Sequence, residues 1–579
     1  MHRTTETIKK IFRVLVMTVL FSVLFLYGCG ESMSADSDNI QTENEAESAA
    51  ELLKQRNEEL KRLTQGDIQV DSQKLANYAS FVDLVYEEKA EQMVYSLEMP
   101  KIPKSDDAYV YLFGMDCYKD ETNIYGKPIA FCDKGTECKI VFSYEEAYLF
   151  KLFVPALLID GKYVAFSDGI YLSNPEALAR NKDAYPQMES KKGLLLDPTM
   201  LRTEKLTDLG VKHAIYNIPL SIIMGETTDE TFPTIVYNYK GKDYYFNGAA
   251  VNGYDGLFTY LNELGMCTTA IVLNDWNEEH LELIHPDAKN KDSGAYYYMF
   301  NTAQQGGVTQ LEVVASFLAK RYSGKKYGLV HNWVIANEIN QQKIWNYMDT
   351  EDVEYYAQEF EKAFRIFYQA AKSQYANAKV YFSIDHDWNS NGDNNSKFFN
   401  GKDLLIAFNN AAQKHGNYDW GIAIHPYPQP IARVNYWSQD YNKTQDAPIL
   451  SIMNLCSLTE FLKQEEYLNT EGEVRNITIT ELGFTSAGGE KLQAAACAYC
   501  YYIVEANPYI DAFIMNRQTD APEEMKSGLA FGLYRYDQSE KYSKEVFQYM
   551  DTEKADEYMD FMLNILGADS LEEALSWAE

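Results

Sequence analysis

Short apolar runs alternate with longer amphipathic segments through residues 201–579. A short apolar run is typical of a strand buried on both faces, and an apolar position every three or four residues is typical of a helix covering such a strand. The eight predicted strands are Ala214–Ile218, Thr269–Leu273, Tyr296–Phe300, Trp333–Ala336, Val380–Ile384, Trp420–Ile424, Ile477–Thr480 and Ala512–Met515. The clearest predicted helices are Thr309–Arg321, Val353–Ala371, Lys402–Lys414 and Lys491–Glu505. This alternation predicts an α/β fold in which a (β/α)8 TIM barrel occupies residues 201–579.

Residues 67–200 have a different pattern, dominated by runs of β-branched and aromatic residues. The predicted strands here are Ala108–Phe113, Lys139–Phe142, Phe153–Ile159 and Lys162–Phe166. Asp160-Gly161 is the two-residue signal of a type I′ hairpin, and Asn174-Pro175 predicts the N-cap and first turn of a short helix. We therefore expect a β-sandwich-like domain over residues 67–200. It would bind carbohydrate or serve as a structural platform, and the platform is favoured because no run isolates a binding face.

Two further segments interrupt the regular alternation of the barrel. Thr234–Tyr239 and Lys242–Phe246 predict a hairpin inserted after the first predicted barrel strand. Glu553–Ala578 is acidic and amphipathic, so we expect one or two helices that close the barrel.

The N-terminus indicates the compartment. Three basic residues precede an apolar run over residues 11–27, and a small residue, Gly28, stands before Cys29, as in a secretory signal. Leu26-Tyr27-Gly28-Cys29 resembles the bacterial lipobox, which implies a lipoprotein signal peptide over residues 1–29 and a lipid on Cys29. The alternative is an uncleaved membrane anchor. Residues 30–66 are rich in polar residues and predict a solvated tether with a marginal helix over Ala46 to Leu63. The remainder would lie on the cell surface, outside the cytoplasmic membrane.

Composition narrows the function classes. A net charge of −33 opposes binding to nucleic acid, because a phosphate-binding surface needs clustered lysine and arginine. The same charge disfavours adhesion to an anionic membrane except through the lipid anchor. Of the eight cysteines, Cys117, Cys132 and Cys138 lie close enough in sequence for one disulfide. Cys497 and Cys500 lie within a predicted helix and are interpreted as small apolar residues rather than metal ligands.

Polar side chains follow every predicted barrel strand at its C-terminal end, which is where active sites of (β/α)8 barrels lie. Carboxylates, amides, histidines and tryptophans of this kind suit sugar hydroxyls and a glycosidic oxygen. In chain order the residues are Asn217, Asn274, Asp275, Trp276, Asn301, Asn337, Glu338, Asn340, Asp385, His386, Asp387, Trp388, His425, Tyr427, Glu481, Asn516, Arg517 and Gln518.

Cleavage of a glycosidic bond needs two carboxyl groups in different protonation states. We expect Glu338 to be the acid/base and Glu481 the nucleophile. Asn337 is expected to bind a sugar 2-OH, and Tyr427 to donate a hydrogen bond to Glu481. His425 would tune Glu338 or bind substrate, and Arg517 would pair with a carboxylate. The remaining predicted substrate-binding residues are Asn274, Trp276, Asn301, Asp385 and Trp388.

Asn337-Glu338 after the fourth strand and Glu481 on the seventh resemble the signature of the clan of retaining (β/α)8 glycosidases. That clan includes endo-glucanase, mannanase, β-galactosidase and xylosidase families. The resemblance implies acid/base and nucleophile roles for the two glutamates, and His425-Pro426-Tyr427 matches the segment that touches the nucleophile. Strand eight departs from the clan, because Asn516-Arg517-Gln518 stands where a tryptophan is common. Tyr171–Glu176, Trp333–Asn340 and Ile479–Ser486 further resemble an uncharacterised bacterial lipoprotein family with a β-rich N-terminal domain.

Two functions from different classes follow. The first is a surface-anchored retaining glycoside hydrolase that acts on a poly- or oligosaccharide without a cofactor. The alternative is a catalytically silent glycan-binding lipoprotein, which would need only one of the two carboxylates. Asp385, His386 and Asp387 together with His425 also suggest metal ligands by residue type, but no known ligand spacing supports a metal site.

Overall fold

The computed structural model describes residues 37–69, 77–390 and 398–579. The chain divides into two compact units at Gln65/Gly66. In the first unit, helix α1 (Ser37–Gln65) extends the predicted marginal helix in both directions. Among the described residues, no helix combines the length and apolar character needed to cross a membrane. The predicted signal peptide and Cys29 lie outside the described residues.

Two antiparallel sheets precede the barrel and correspond to the predicted β-sandwich-like domain. One sheet has the strand order β1-β2-β5 and the other β4-β3-β6-β7. The strands are β1 (Phe81–Glu87), β2 (Gln92–Glu98), β3 (Tyr109–Met115), β4 (Ala130–Asp133), β5 (Glu137–Ser143), β6 (Leu152–Ile159) and β7 (Lys162–Ala165). Between β6 and β7, Asp160 and Gly161 have φ of 50° and 72°, as the predicted type I′ turn requires.

Asn174 is the N-cap residue of a 3-10 turn, Pro175–Leu178, with Pro175 in its first turn, as predicted. The Asn174 side chain, however, makes no capping hydrogen bond. Its Oδ1 instead accepts from the backbone N–H of Tyr86 at 2.8 Å, and its Nδ2 donates to the Tyr86 carbonyl at 3.1 Å. The amide therefore ties this turn to β1.

Eight parallel strands close into a barrel, as predicted. The strands of this part are β8 (Lys192–Leu195), β9 (His213–Pro219), β10 (Ile235–Tyr239), β11 (Lys242–Phe246), β12 (Cys267–Leu273), β13 (Ser323–Gly324), β14 (Gly328–Leu329), β15 (Asn332–Ile335), β16 (Lys379–Asp385), β17 (Trp420–His425), β18 (Ile477–Leu482) and β19 (Ile510–Met515). Strands β10 and β11 form the predicted hairpin, β13 pairs with β14, and the barrel order is β8-β9-β12-β15-β16-β17-β18-β19.

Helices surround this barrel, and the four clearest predicted helices are present. They are α2 (Glu204–Thr207), α3 (Leu220–Ile223), α4 (Gly248–Glu263), α5 (Gln305–Arg321), α6 (Gln342–Trp345), α7 (Val353–Gln374), α8 (Gly401–Lys414), α9 (Cys456–Leu462), α10 (Glu490–Ala506), α11 (Pro522–Lys526), α12 (Tyr542–Tyr549), α13 (Ala555–Leu566) and α14 (Leu571–Ser576). Cys497 and Cys500 are buried on α10, and the seven described cysteines are unpaired thiols.

One predicted barrel strand is wrong. Tyr296–Phe300 lies in the loop after β12, where its residues form isolated bridges to other loop residues. The missing strand is β8, which lies before residue 201, the predicted start of the barrel. Its four residues include Gly193, where a Cβ would stand 2.3 Å from the side chain of Ile514, so the close packing of β8 requires glycine.

The interior of the barrel is filled by alternate residues of its strands. These are Ile215, Ile271, Leu273, Val334, Tyr381, Ala423, Ala512 and Ile514. Because side chains two residues apart face the same side of a strand, Ser383 follows Tyr381 and His425 follows Ala423 on the interior face. Ser383 and His425 both lie toward the C-terminal ends of their strands. The polar residues predicted to form the active site were expected at this end of the barrel.

Candidate active site

The backbone that carries Glu338 is strained. After β15 ends at Ile335, Ala336 and Glu338 have φ of 63° and 38°, a region that costs a non-glycine residue about 1–3 kcal/mol. Hydrogen bonds to β16 hold this conformation: the N–H of Glu338 donates to Ser383 Oγ at 2.7 Å, and that of Ile339 donates to the Ser383 carbonyl at 3.0 Å. The position of the carboxyl group is therefore fixed by a buried serine on the neighbouring strand.

The Glu338 carboxyl group contacts one buried histidine. Glu338 Oε1 lies 2.8 Å from His425 Nδ1, and His425 Nε2 lies 2.9 Å from Thr480 Oγ1. Burial raises the pKa of Glu338, and the contact with His425 only partly offsets this rise. For His425, burial lowers the pKa, but the neighbouring Glu338 and Glu481 raise it above its ordinary value. The two groups thus hold a proton at neutral pH more readily than either would in water.

A bulge in β18 orients Glu481. Between the paired positions Ile479–Phe513 and Leu482–Met515, β18 advances by three residues while β19 advances by two. The extra residue lets Thr480 and Glu481, which are neighbours in sequence, both point into the site. Thr480 contacts His425, and Glu481 contacts Tyr427.

Two donors converge on one oxygen of Glu481. Tyr427 OH donates to Glu481 Oε1 at 2.9 Å, and Asn516 Nδ2 donates to the same oxygen at 3.2 Å. Asn516 Nδ2 also donates to Tyr427 OH at 2.8 Å, which fixes the tyrosine. Burial and the charge of Glu481 raise the pKa of Tyr427, so its hydroxyl stays protonated and remains a donor. This contact is the one predicted for Tyr427.

Each of the two carboxyl groups therefore has one tethered oxygen and one available oxygen. Glu338 Oε1 is tied to His425 and Glu481 Oε1 to Tyr427 and Asn516. Neither Oε2 receives a hydrogen bond from any described residue, and neither is a buried atom lacking a partner. The Glu338 side chain is 13% exposed and Glu481 is half-buried, so these oxygens can meet a ligand.

Two other predicted residues lie beside this pair. Asn337 precedes Glu338, and its amide makes no hydrogen bond within the described chain. Asp385 is buried at the end of β16 and accepts from Asn340 Nδ2 at 2.5 Å and from Gln341 Nε2 at 2.7 Å. Its charge raises the pKa of both Glu338 and His425. Asp385 thus acts on the catalytic candidates through its charge.

The structure gives three predicted sugar ligands structural contacts instead. Asn274 is buried and donates to the carbonyls of Leu283 and Tyr298. Asn301 is buried and donates to the Glu282 carbonyl at 2.8 Å. Trp388 is fully buried, and its indole N–H donates to the Gln445 carbonyl at 2.9 Å. These side chains hold loops together, and their role as sugar ligands stays a prediction.

Trp276 and Arg517 remain accessible. Trp276 is half-buried, and its indole N–H donates to Glu278 Oε1 at 2.9 Å. Arg517 donates to Glu524 Oε1 at 2.7 Å, which is a carboxylate pairing of the predicted kind. Arg517 also lines a cavity of about 730 Å³ at the ends of β8, β9 and β19. Arg517 directly follows Asn516, which contacts Glu481.

Asp385, His386 and Asp387 lie together, with potential metal-ligating atoms all within 4.8 Å of one another. The two carboxylates already accept hydrogen bonds from Gln341 Nε2, at 2.7 and 2.9 Å. His425, the fourth suggested ligand, is committed to Glu338 and Thr480. Hydrogen bonds within the protein therefore explain why Asp385 and Asp387 lie close together.

The sequence analysis missed two residues that hold others in the site, Ser383 and Thr480. It placed Asn516 at a strand end but did not predict its contact with Glu481. Ser383 and Thr480 interrupt apolar strands with a hydroxyl group, and both are buried. A polar residue in a strand buried on both faces was the available signal, because such a group needs a hydrogen-bond partner.

Comparisons with known proteins add a family and a set of similar folds. The model of a family of unknown function (DUF5722) matches residues 184–574. No curated protein matches the chain.

Among solved structures, the chain is similar to a family 39 glycoside hydrolase from Bacteroides cellulosilyticus, with 14% identity, coverage of 84% of this chain and 83% of that chain, and a TM-score of 0.40. It is also similar to the GH53 catalytic domain of Ignisphaera aggregans, with 14% identity, coverage of 64% and 99%, and a TM-score of 0.38. It is similar as well to GH5_18 from Bifidobacterium longum, with 12% identity, coverage of 64% of this chain and 79% of that chain, and a TM-score of 0.39.

Proposed function

The chain belongs to the DUF5722 family, and we propose that it is a surface-anchored retaining glycoside hydrolase. In this proposal Glu338 is the acid/base, Glu481 is the nucleophile and the substrate is a poly- or oligosaccharide. The observation that carries the proposal is the pair of carboxyl groups that each keep one oxygen without a protein partner, at the C-terminal ends of β15 and β18.

The first step uses the two groups in opposite protonation states. Glu481 Oε2 attacks the anomeric carbon while Tyr427 and Asn516 hold Oε1 in place. Glu338, whose raised pKa favours the protonated form, gives its proton to the departing oxygen. The products of this step are a glycosyl ester on Glu481 and a released alcohol.

The second step reverses the role of Glu338. Its carboxylate takes a proton from water, the water oxygen bonds to the anomeric carbon, and the ester bond to Glu481 breaks. The Asn337 amide, unbonded within the described chain, is placed to bind the sugar 2-OH. Two inversions at one carbon retain the anomeric configuration.

The test uses the full chain, a panel of aryl glycosides and azide. Glu338→Ala should remain active on a substrate with a good leaving group, and azide should then yield a glycosyl azide of retained configuration. Glu481→Ala should lose turnover and, with azide, give the opposite anomer. Glu88→Gln, which removes an exposed carboxylate paired with Lys182 outside the barrel, is the control.

Three results would contradict this assignment. Full hydrolysis by Glu481→Ala would exclude it as the nucleophile, and inverted products from the wild type would exclude double displacement. Binding of glycans without turnover by the wild type would favour a catalytically silent glycan-binding lipoprotein.

The anchor is proposed from Leu26-Tyr27-Gly28-Cys29. Metabolic labelling with an alkyne fatty acid should tag the wild type in the membrane fraction, and Cys29→Ser should lose the label. An untagged wild-type protein that stays in the membrane would indicate an uncleaved anchor instead.

A further inference from the structure

Three aromatic residues stack on one another in the segments that follow β12 and β15. The Tyr296 and Trp345 rings are stacked, with centroids 4.9 Å apart and an interplanar angle of 19°. Tyr297 is also stacked with Trp345, at 6.0 Å and 29°. We call Tyr296, Trp345 and Tyr297 the aromatic strip.

The inner end of the aromatic strip reaches the interior of the barrel. Tyr297 packs against the apolar side chains that fill this interior. It also forms a β-bridge with Asp275, which follows the C-terminal end of β12. Burial is the main cause that raises the pKa of Tyr297 to about 12.

The outer end of the strip faces solvent. Tyr296 is 63% exposed, and Trp345 is half-buried. Single exposed aromatic residues are common on protein surfaces. A stacked row that leads from the barrel interior to the solvent is a different arrangement, because it offers a continuous apolar path at the face of the barrel that carries Glu338 and Glu481.

Backbone hydrogen bonds hold the strip in place. The N–H of Tyr296 donates to the Ile344 carbonyl at 2.8 Å, and the N–H of Tyr347 donates to the Tyr297 carbonyl at 2.9 Å. The second of these loops follows β15 and also carries Glu338. Tyr356 OH on α7 donates to the carbonyls of Ile339 and Asn346, which anchors that loop at both ends. The strip therefore has a fixed position relative to the acid/base candidate.

We propose that the aromatic strip binds a further sugar unit of the chain being cleaved, so that the substrate is a glycan of several units rather than a single terminal sugar on a small aglycone. This inference rests on the proposed function of Glu338 and Glu481. One face of a pyranose ring presents mainly C–H groups, and packing that face on the exposed ring of Tyr296, which Trp345 supports from behind, removes apolar area from water on both partners. The carboxyl pair then acts at a bond within a chain that extends along the loops after β12 and β15.

The experiment measures how affinity and rate depend on chain length. The probes are oligomers of two to six units of β-1,4-linked glucose, mannose, xylose and galactose. Full-length wild type and Tyr296→Ala are compared by kcat/KM and, after Glu481→Gln is added, by calorimetric dissociation constants. Tyr125→Ala, which removes a tyrosine that is 62% exposed outside the barrel, is the matched control.

The strip predicts that kcat/KM of the wild type rises about tenfold or more from the shortest cleaved oligomer to one two units longer. Tyr296→Ala should lose most of this gain through KM, and Tyr125→Ala should keep it. If wild type and Tyr296→Ala cleave the oligomers with the same dependence on chain length, the aromatic strip does not bind a further sugar unit. The proposed function would still hold in that case. Binding that tightens with length and depends on Tyr296, without cleavage of any probe, would support the strip and contradict the proposed function. If no probe is either cleaved or bound, both are overturned for these glycans.

Discussion

His425 Nδ1 lies 2.8 Å from Glu338 Oε1, and the opposite nitrogen of the same ring lies 2.9 Å from the hydroxyl group of Thr480, the residue before Glu481. One imidazole thus links the two strand ends that carry the candidate acid and the candidate nucleophile. The protonation state of Glu338 consequently depends on a residue that itself responds to the charge of Glu481.

Replacing His425 should move the alkaline limb of the pH–activity profile. Burial raises the pKa of Glu338 and the His425 contact lowers it, so His425→Phe, which keeps the site apolar, should shift the limb to higher pH. Activity falls on the alkaline side because Glu338 loses the proton that it must donate. Measuring kcat between about pH 5 and 9 shows whether the pH of this fall has shifted. Thr480→Val is the control, because it removes the Nε2 contact and leaves the Nδ1 contact in place; an identical shift in both variants would argue against the assignment.

Removing the hydroxyl group of Tyr427 should slow the reaction without abolishing it. Tyr427→Phe deletes one of two hydrogen bonds to Glu481 Oε1, while Asn516 keeps the other. A loss of about 10- to 100-fold in kcat follows from a contact of about 1.5–3 kcal/mol to a charged group. Unchanged kcat in Tyr427→Phe would show that the tyrosine does not position the nucleophile.

Ser383→Ala should reduce both stability and activity. The substitution leaves the N–H of Glu338 without its acceptor at a strained backbone position, which should lower the free energy of unfolding by about 1–3 kcal/mol. Urea unfolding measures that change. Ser383→Thr retains the hydroxyl group and should recover part of the activity; equal losses in both variants would point to packing rather than to the hydrogen bond.

Two buried histidines should make the fold sensitive to acid. Burial lowers the pKa of His213 and of His331 to about 4, below the unfolded value of 6.5. As the pH falls from 6.5 toward 4, the unfolded chain binds protons that the folded chain does not, so stability decreases by up to roughly 3 kcal/mol for each histidine.

His331→Asn isolates one of these contributions. Asparagine can replace Nδ1 as the acceptor for the Thr268 N–H, which lies at 3.1 Å, but it does not titrate. The difference in stability between pH 7 and pH 5 should be smaller in this variant than in the wild type. A difference of the wild-type size would show that His331 is protonated as readily when folded as when unfolded.

The sequence indicated the barrel because apolar runs and amphipathic segments alternate wherever strands are buried by helices. It failed at β8, where a strand of four residues with a glycine has no periodicity to detect, and at Tyr296–Phe300, where an aromatic run packs loops together. Such a run has the same composition as a strand, and only tertiary contacts distinguish the two.

For the site, residue type and position after a strand singled out Glu338, Glu481, Tyr427 and His425, and the structure gives these residues contacts with one another or with Thr480. The same reasoning singled out Asn274, Asn301 and Trp388, whose side chains donate to backbone carbonyls, because a polar residue that follows a strand can equally hold the backbone of a loop. Hydrogen-bond direction depends on loop geometry, which no local pattern encodes. The bulge in β18 was likewise invisible, since it is defined by pairing with β19.

Because of the bulge in β18, the direction in which the Glu481 side chain points depends on the number of residues between Ile479 and Leu482. Only Thr480 and Glu481 lie between the paired residues Ile479 and Leu482, so deleting Thr480 would move the carboxyl group to the position that now faces His425. A three-nucleotide deletion would then separate the candidate nucleophile from Tyr427, although no side chain of the pair had been replaced.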